Sequence, residues 1–122
     1  MSAPLEQLVA FLQKTATEIA DLENRANDGI TQHNDEALYR ELMEQKARLL
    51  AGLLSAVAPL VKTLPAEHRS AVVARLDSFS ANATTSLKIG SVFYMSALLY
   101  PDGHQKGQPN NLELFIQQLE KI

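Results

Sequence analysis

The chain of 122 residues contains no cysteine and no tryptophan, and only 6% of it is aromatic. Without cysteine there is no disulfide, no thiolate metal site and no cysteine nucleophile. The absence also fits a reducing compartment. With so few rings, the core must come mostly from Leu, Ala, Val and Ile. Apolar stretches are interrupted by Lys, Ser, Gly or Pro well short of the roughly 18 residues a membrane-spanning helix needs. The N-terminus, Met-Ser-Ala-Pro-Leu-Glu, lacks a basic segment followed by an apolar one, so no signal peptide is predicted. Basic residues do not cluster: 11 Lys and Arg face 14 Asp and Glu, for a net charge of −3. The acidic excess lies in residues 1–62. Such a surface offers no stripe for a phosphate backbone. The expectation is a soluble, cytoplasmic protein with no nucleic-acid partner and no membrane insertion.

What the chain has instead is helical spacing. Hydrophobic residues make up 46% of it, enough for a globular core. One run reads Leu5, Leu8, Leu12, Thr15, Ile19, Leu22, Ala26. Another reads Tyr39, Met43, Lys46, Leu50, Leu53, Val57, Leu60. Steps of three and four keep one side of a helix facing a partner, and each run has a single polar interruption, Thr15 and Lys46. Ser2 and Pro4 open the first helix, and Asn27-Asp28-Gly29 is read as its stop. Asn34 or Asp35 caps the second helix, in which Glu44 and Arg48 form an acid-to-base pair one turn apart. Pro59 predicts a kink before that helix ends near Lys62. A third helix restarts at Pro65 and carries Val72, Leu76, Phe79, Ala83, Ser86, Gly90, Phe93, Ala97 and Tyr100. Its small-residue middle, Asn82 to Ser86, is either a close-packed seam or a hinge. Residues 100–109 read as a polar loop. Asn110 or Asn111 then caps a short final helix with Leu112, Phe115, Ile116, Leu119 and Ile122 on one face. The predicted fold is all-α: a single domain, 1–122, forming an antiparallel bundle of three long helices plus a short C-terminal helix.

Chemistry-bearing patterns are missing. His33, His68 and His104 sit near helix ends or in loops, with no ligand partner at a recognised spacing, so no metal and no cofactor are expected. His68 lacks the mid-helix position, and the Lys and Gly that follow it, typical of a phosphotransfer histidine. No Gly-x-Ser-x-Gly and no phosphate-binding glycine loop occurs. The chain does not read as an enzyme. Its asset is apolar surface, and the candidate partner-binding residues are Leu87, Val92, Phe93, Tyr94 and Leu98 along the third helix, with Phe115, Ile116 and Leu119 on the final one.

The stretch Ile30 to Leu54 resembles the FlgN-type flagellar export chaperones. The matching positions are Asp35, Leu38, Leu42, Lys46, Leu49, Leu50 and Leu53. Asn82, and Tyr100 with Asp102-Gly103, resemble that family's C-terminal part. The resemblance implies a cytoplasmic chaperone that holds terminal segments of hook–filament junction subunits before export. Its partner would be an amphipathic helix laid along the third helix and the C-terminal region. Lys46 would be structural, with its stem packed and its ammonium reaching the surface. The alternative reading is a structural or regulatory homo-oligomer, paired through the apolar face of the final helix. Phosphotransfer at His68 is the third.

Overall fold

A computed structural model describes residues 2–122. The order is α1 (Ala3–His33), α2 (Glu36–Ala51), α3 (Leu53–Val61), α4 (Ala66–Ile89), α5 (Val92–Ala97) and α6 (Asn111–Glu120). Among the described residues there is no strand, and the all-α bundle expected from the spacing is what forms. The α1 and α2 pair is the most extensive contact. Helices α1 and α4 each pack on the α2–α3 column, α5 bridges α2 and α4, and α6 lies on α1. The Phe115 ring of α6 meets Phe79 of α4 edge-on, with centroids 6.0 Å apart. The final helix therefore fills the space between α1 and α4.

Several helix ends differ from the sequence expectation, each for a local reason. Ser2 caps α1 as expected, its Oγ accepting from the Leu5 N–H at 3.3 Å. The Asn27-Asp28-Gly29 stop is not used, however, and α1 continues to His33. Gly29 is buried, and a Cβ there would lie 3.1 Å from Leu38 Cδ2. Its lack of a side chain lets α2 approach and does not end the helix. The turn falls at Asn34, whose φ of 48° is left-handed and tolerable for Asn. Both the Asn34 and Asp35 N–H groups return to the Gly29 carbonyl. Asp35 then caps α2 by accepting from the Leu38 N–H at 3.0 Å.

The second long helix is interrupted at Gly52, not at Pro59, which stands within α3. The cause is a side chain inserted from α4. Ser80 Oγ donates to the Leu50 carbonyl at 3.0 Å and accepts from the Leu54 N–H at 3.3 Å. A hydroxyl thus occupies the place of one i→i−4 helix bond. Helix α4 runs unbroken through Asn82–Ser86, with Ser80, Ala83 and Ser86 buried. The small residues are a close-packed seam, and no hinge forms there. The expected continuation to Tyr100 fails at Gly90, where φ is 71°. Hydrogen bonds from Gly90 N to Leu87 O and from Ser91 N to Ser86 O close the end, the usual glycine helix stop. Helix α6 begins with a capping box in which Asn110 and Glu113 satisfy each other's backbone N–H groups.

The core is in two parts. The larger contains Leu8, Leu12, Ile19, Leu53, Val57, Leu76 and the inner face of α6. The smaller gathers Leu22, Ala26, Leu42, Met43, Ala47 and Met95 at the other end of the α1–α2 pair. If Ser80 mends the helix break, Ser80→Ala strands a donor and an acceptor together. Urea unfolding should show a loss of about 1–3 kcal/mol. A change within about 0.5 kcal/mol, the range of an ordinary surface substitution, would contradict this role.

Candidate functional site

At the junction of α1, α2 and α5 the lysine of the apolar seam finds its partners. Lys46 is wholly buried. Its Nζ lies 3.1 Å from Glu23 Oε2 and donates to the Ser96 carbonyl at 3.0 Å. It also stands 5.0 Å from the Tyr100 ring centroid. The expectation that this ammonium reaches the surface is therefore corrected: it ends inside. The Tyr100 hydroxyl donates to the same Glu23 carboxylate, 2.6 Å from Oε2 and 2.8 Å from Oε1. Burial pulls the Lys46 pKa below its usual value, and the charge of Glu23 and the hydrogen bond to it oppose that. Burial, reinforced by the hydrogen bond to Glu23 and by its charge, raises the Tyr100 phenol. Lys46 serves as a joint binding three segments. Its ammonium is shared between the Glu23 carboxylate, the Ser96 carbonyl and the face of the Tyr100 ring.

Beside this joint, Leu99 is left-handed at φ 76° and buried. That conformation costs an L-residue about 1–2 kcal/mol. Packing of the side chain into the larger core and acceptance of the Asn111 N–H by its carbonyl at 2.9 Å hold it there. The turn at Leu99 brings residues 97–100 back along α4.

The consequence is an apolar corner. Ile89, Phe93 and Tyr94 are 60%, 74% and 53% exposed. The Phe93 and Tyr94 rings meet edge-on with centroids 5.8 Å apart. Ile89 and Tyr94 border a groove of about 420 Å³, which Asn82, Thr85, Leu98 and Leu99 also line, and no charged residue lines it. Single exposed apolar side chains are ordinary; three together beside an uncharged groove make this corner the candidate contact surface.

The expected partner-binding residues divide. Phe93 and Tyr94 are at the corner, and Leu98 lines its groove. Leu87 and Val92 are half-buried against the smaller core. Phe115, Ile116 and Leu119 lie in the larger core and are at most 5% exposed. Their placement is corrected: α6 completes the bundle. Ile89 was missed. Its signal was an Ile one residue off the seam, between Ser86 and Gly90, at the last turn of a helix. The Glu23–Tyr100 contact spans 77 residues, and the apolar spacing gives no sign of it.

A larger groove of about 700 Å³ runs between α1 and α2. Its floor is Leu22 and Leu49, its lining is mostly apolar, and Glu18, Asp21 and Arg48 rim it, but no large apolar side chain of this groove stands exposed as Ile89, Phe93 and Tyr94 do. His33 is exposed, His68 is half-buried in the first turn of α4, and His104 packs edge-on against Tyr100. Among the described residues no cluster of His, Asp and Glu has the geometry to hold a metal ion, and no helix is long and apolar enough to cross a membrane. No protein-family model, curated protein or solved structure matches the chain.

The raised Tyr100 pKa has a measurable sign. Above pH 10.0, the ordinary tyrosine value, the unfolded phenol ionises while the folded one keeps its proton. The stabilisation is whole below that pH and is lost as pH rises through the raised value. Lys46 acts oppositely, because loss of its proton favours the folded state. Tyr100→Phe should therefore lose less stability than wild type between about pH 10 and pH 12. Parallel declines in alkaline urea titrations would refute the assignment.

Proposed function

We propose that the protein is a non-catalytic binding module, a cytoplasmic export chaperone that holds an amphipathic segment of a flagellar hook–filament junction subunit. The observation that carries the reading is the corner of Ile89, Phe93 and Tyr94 beside an uncharged groove. An apolar helix face fits such a surface, with aromatic anchors at its centre and neutral polar side chains at its edge. The resemblance of Ile30–Leu54 to FlgN-type chaperones supplies the class of partner. The occupied groove would engage the C-terminal half of α4 and the α5 segment, and α1 and α2 would be scaffold.

Assembly of copies through the final helix loses its motive, since Phe115 and Ile116 face the chain's own core. Pull-down from a flagellated bacterium should recover junction subunits or export components with the wild-type chain. A Phe93→Ala plus Tyr94→Ala variant should lose tenfold or more of that recovery. Its stability should shift by only about 0.5 kcal/mol per exposed site. Failure to recover any such protein, together with normal motility of a deletion strain, would overturn the reading. A stable dimer that the same double variant dissociates would assign the corner to self-association instead.

A further inference from the structure

Two hydrogen bonds of matching register tie α5 to α2. Arg40 Nη2 donates to the Gly90 carbonyl at 3.1 Å, and Lys46 Nζ donates to the Ser96 carbonyl at 3.0 Å. The donors stand six residues apart on α2 and the acceptors six apart on the chain, one just before α5 and one near its end. In both pairs donor and acceptor are separated by 50 residues. Apart from these ties α5 is thinly attached. Of its six residues only Met95 is buried, and Val92 and Leu98 add partial cover to the smaller core. Few buried apolar groups and a dependence on polar ties are the marks of a segment that opens before the rest unfolds. Its two ends are sharp turns, since Gly90 and Leu99 are both left-handed. Leu99 itself stays anchored by its side chain in the larger core and by the Asn111 N–H on its carbonyl, so the segment lifts between these two points.

We propose that residues 91–98 form a strap, clasped to α2 by Arg40 and Lys46, that opens as a unit and thereby switches the docking corner off. This rests on the reading of that corner as the binding surface. The coupling is geometric. Phe93, Tyr94 and Leu98 ride on the strap, whereas Ile89, Thr85 and Asn82 stay on α4. The groove exists only while the strap is closed. A partner that needs both walls binds the closed state alone, and its apparent affinity scales with the fraction closed. Arg40 is the adjustable clasp, because it is exposed and shared with Glu44 at 3.1 Å. Lys46 is the fixed one, buried with Glu23.

The opening can be read without any partner. Chymotrypsin cleaves after Phe93 or Tyr94 only when the segment leaves its helix, because a protease needs extended chain. Arg40→Gln should accelerate cleavage at these two residues on the order of tenfold, as expected for loss of one hydrogen bond from a charged donor. Amide exchange in residues 92–98 of Arg40→Gln should rise in step, and exchange in the middle of α1 and of α4 should stay at the wild-type rate. Lys46→Met, which also strips Glu23 of its partner, should raise exchange in α1 as well. Cleavage no faster than wild type in Arg40→Gln would overturn the strap. So would acceleration in that variant that merely follows global unfolding, with α1 amides exchanging equally fast. Because no partner enters the assay, failure of the strap and failure of the chaperone reading are scored separately.

Discussion

The buried ammonium of Lys46 constrains more of this molecule than any other single group. It lies in the seam between α1 and α2, where every neighbour in the repeat is apolar, and its charge has no water. A buried charge is tolerable only if paired and hydrogen-bonded, and each partner it recruits fixes a different segment. Glu23 is drawn in from α1, the Ser96 carbonyl from the end of α5, and the Tyr100 ring from the start of the polar loop. Glu23 would be left half-satisfied by one lysine, and the Tyr100 hydroxyl completes it. Replacing such a pair by well-packed hydrophobes is often neutral or better for stability. Its contribution here is positional: it dictates where α5 ends and from where residues 100–109 depart. The direction of that departure lets Asn110 begin α6 against α1 and α4.

A second constraint acts on the other long helix. The α2–α3 column is broken at Gly52, and the broken bond is bridged by Ser80. Such a bridge requires α4 to approach closely, which its small residues at 80, 83 and 86 permit. The weak helix propensity of Asn82 to Ser86 is thus overruled by tertiary packing. Wide side chains there would hold α4 away from the column and leave the Leu50 carbonyl without its donor. The break and the small-residue seam are two sides of one contact.

These two contacts also explain what could be read in the sequence. Apolar spacing marks core faces, and Leu5 through Ala26 and Met43 through Val57 are buried as that spacing requires. Caps with a local mechanism were visible for the same reason, Ser2 outright and Asp35 and Asn110 each as one of two adjacent candidates: donor and acceptor lie within three residues. Decisions made across the fold were not visible. Gly29 looked like a stop because its use, admitting Leu38, depends on a helix that turns back against it. Pro59 drew attention away from Gly52 because a side chain 30 residues away decides where the ladder opens. At the candidate site, Phe93 and Tyr94 were legible as rings on a continuing helix. That they are exposed follows from the turn at Gly90, which redirects α5 so that Met95 faces the core and the rings face out.

The strength of the corner bears on what it can do. Full burial of a large apolar side chain is worth about 1.5–3 kcal/mol. Ile89, Phe93 and Tyr94 are between half and three-quarters exposed, so covering all three yields roughly 3–6 kcal/mol by the same scale. Association of two macromolecules costs at least about 4 kcal/mol in lost freedom alone. The trio can anchor a partner but cannot hold it unaided. The remainder must come from the groove behind it, where Asn82 and Thr85 offer neutral hydrogen bonds. Complexes of that kind are held by a few weak terms and released when any one of them is removed. A contact of that strength would be readily reversible, and the geometry of α5, which supplies two of the three exposed side chains, would control it.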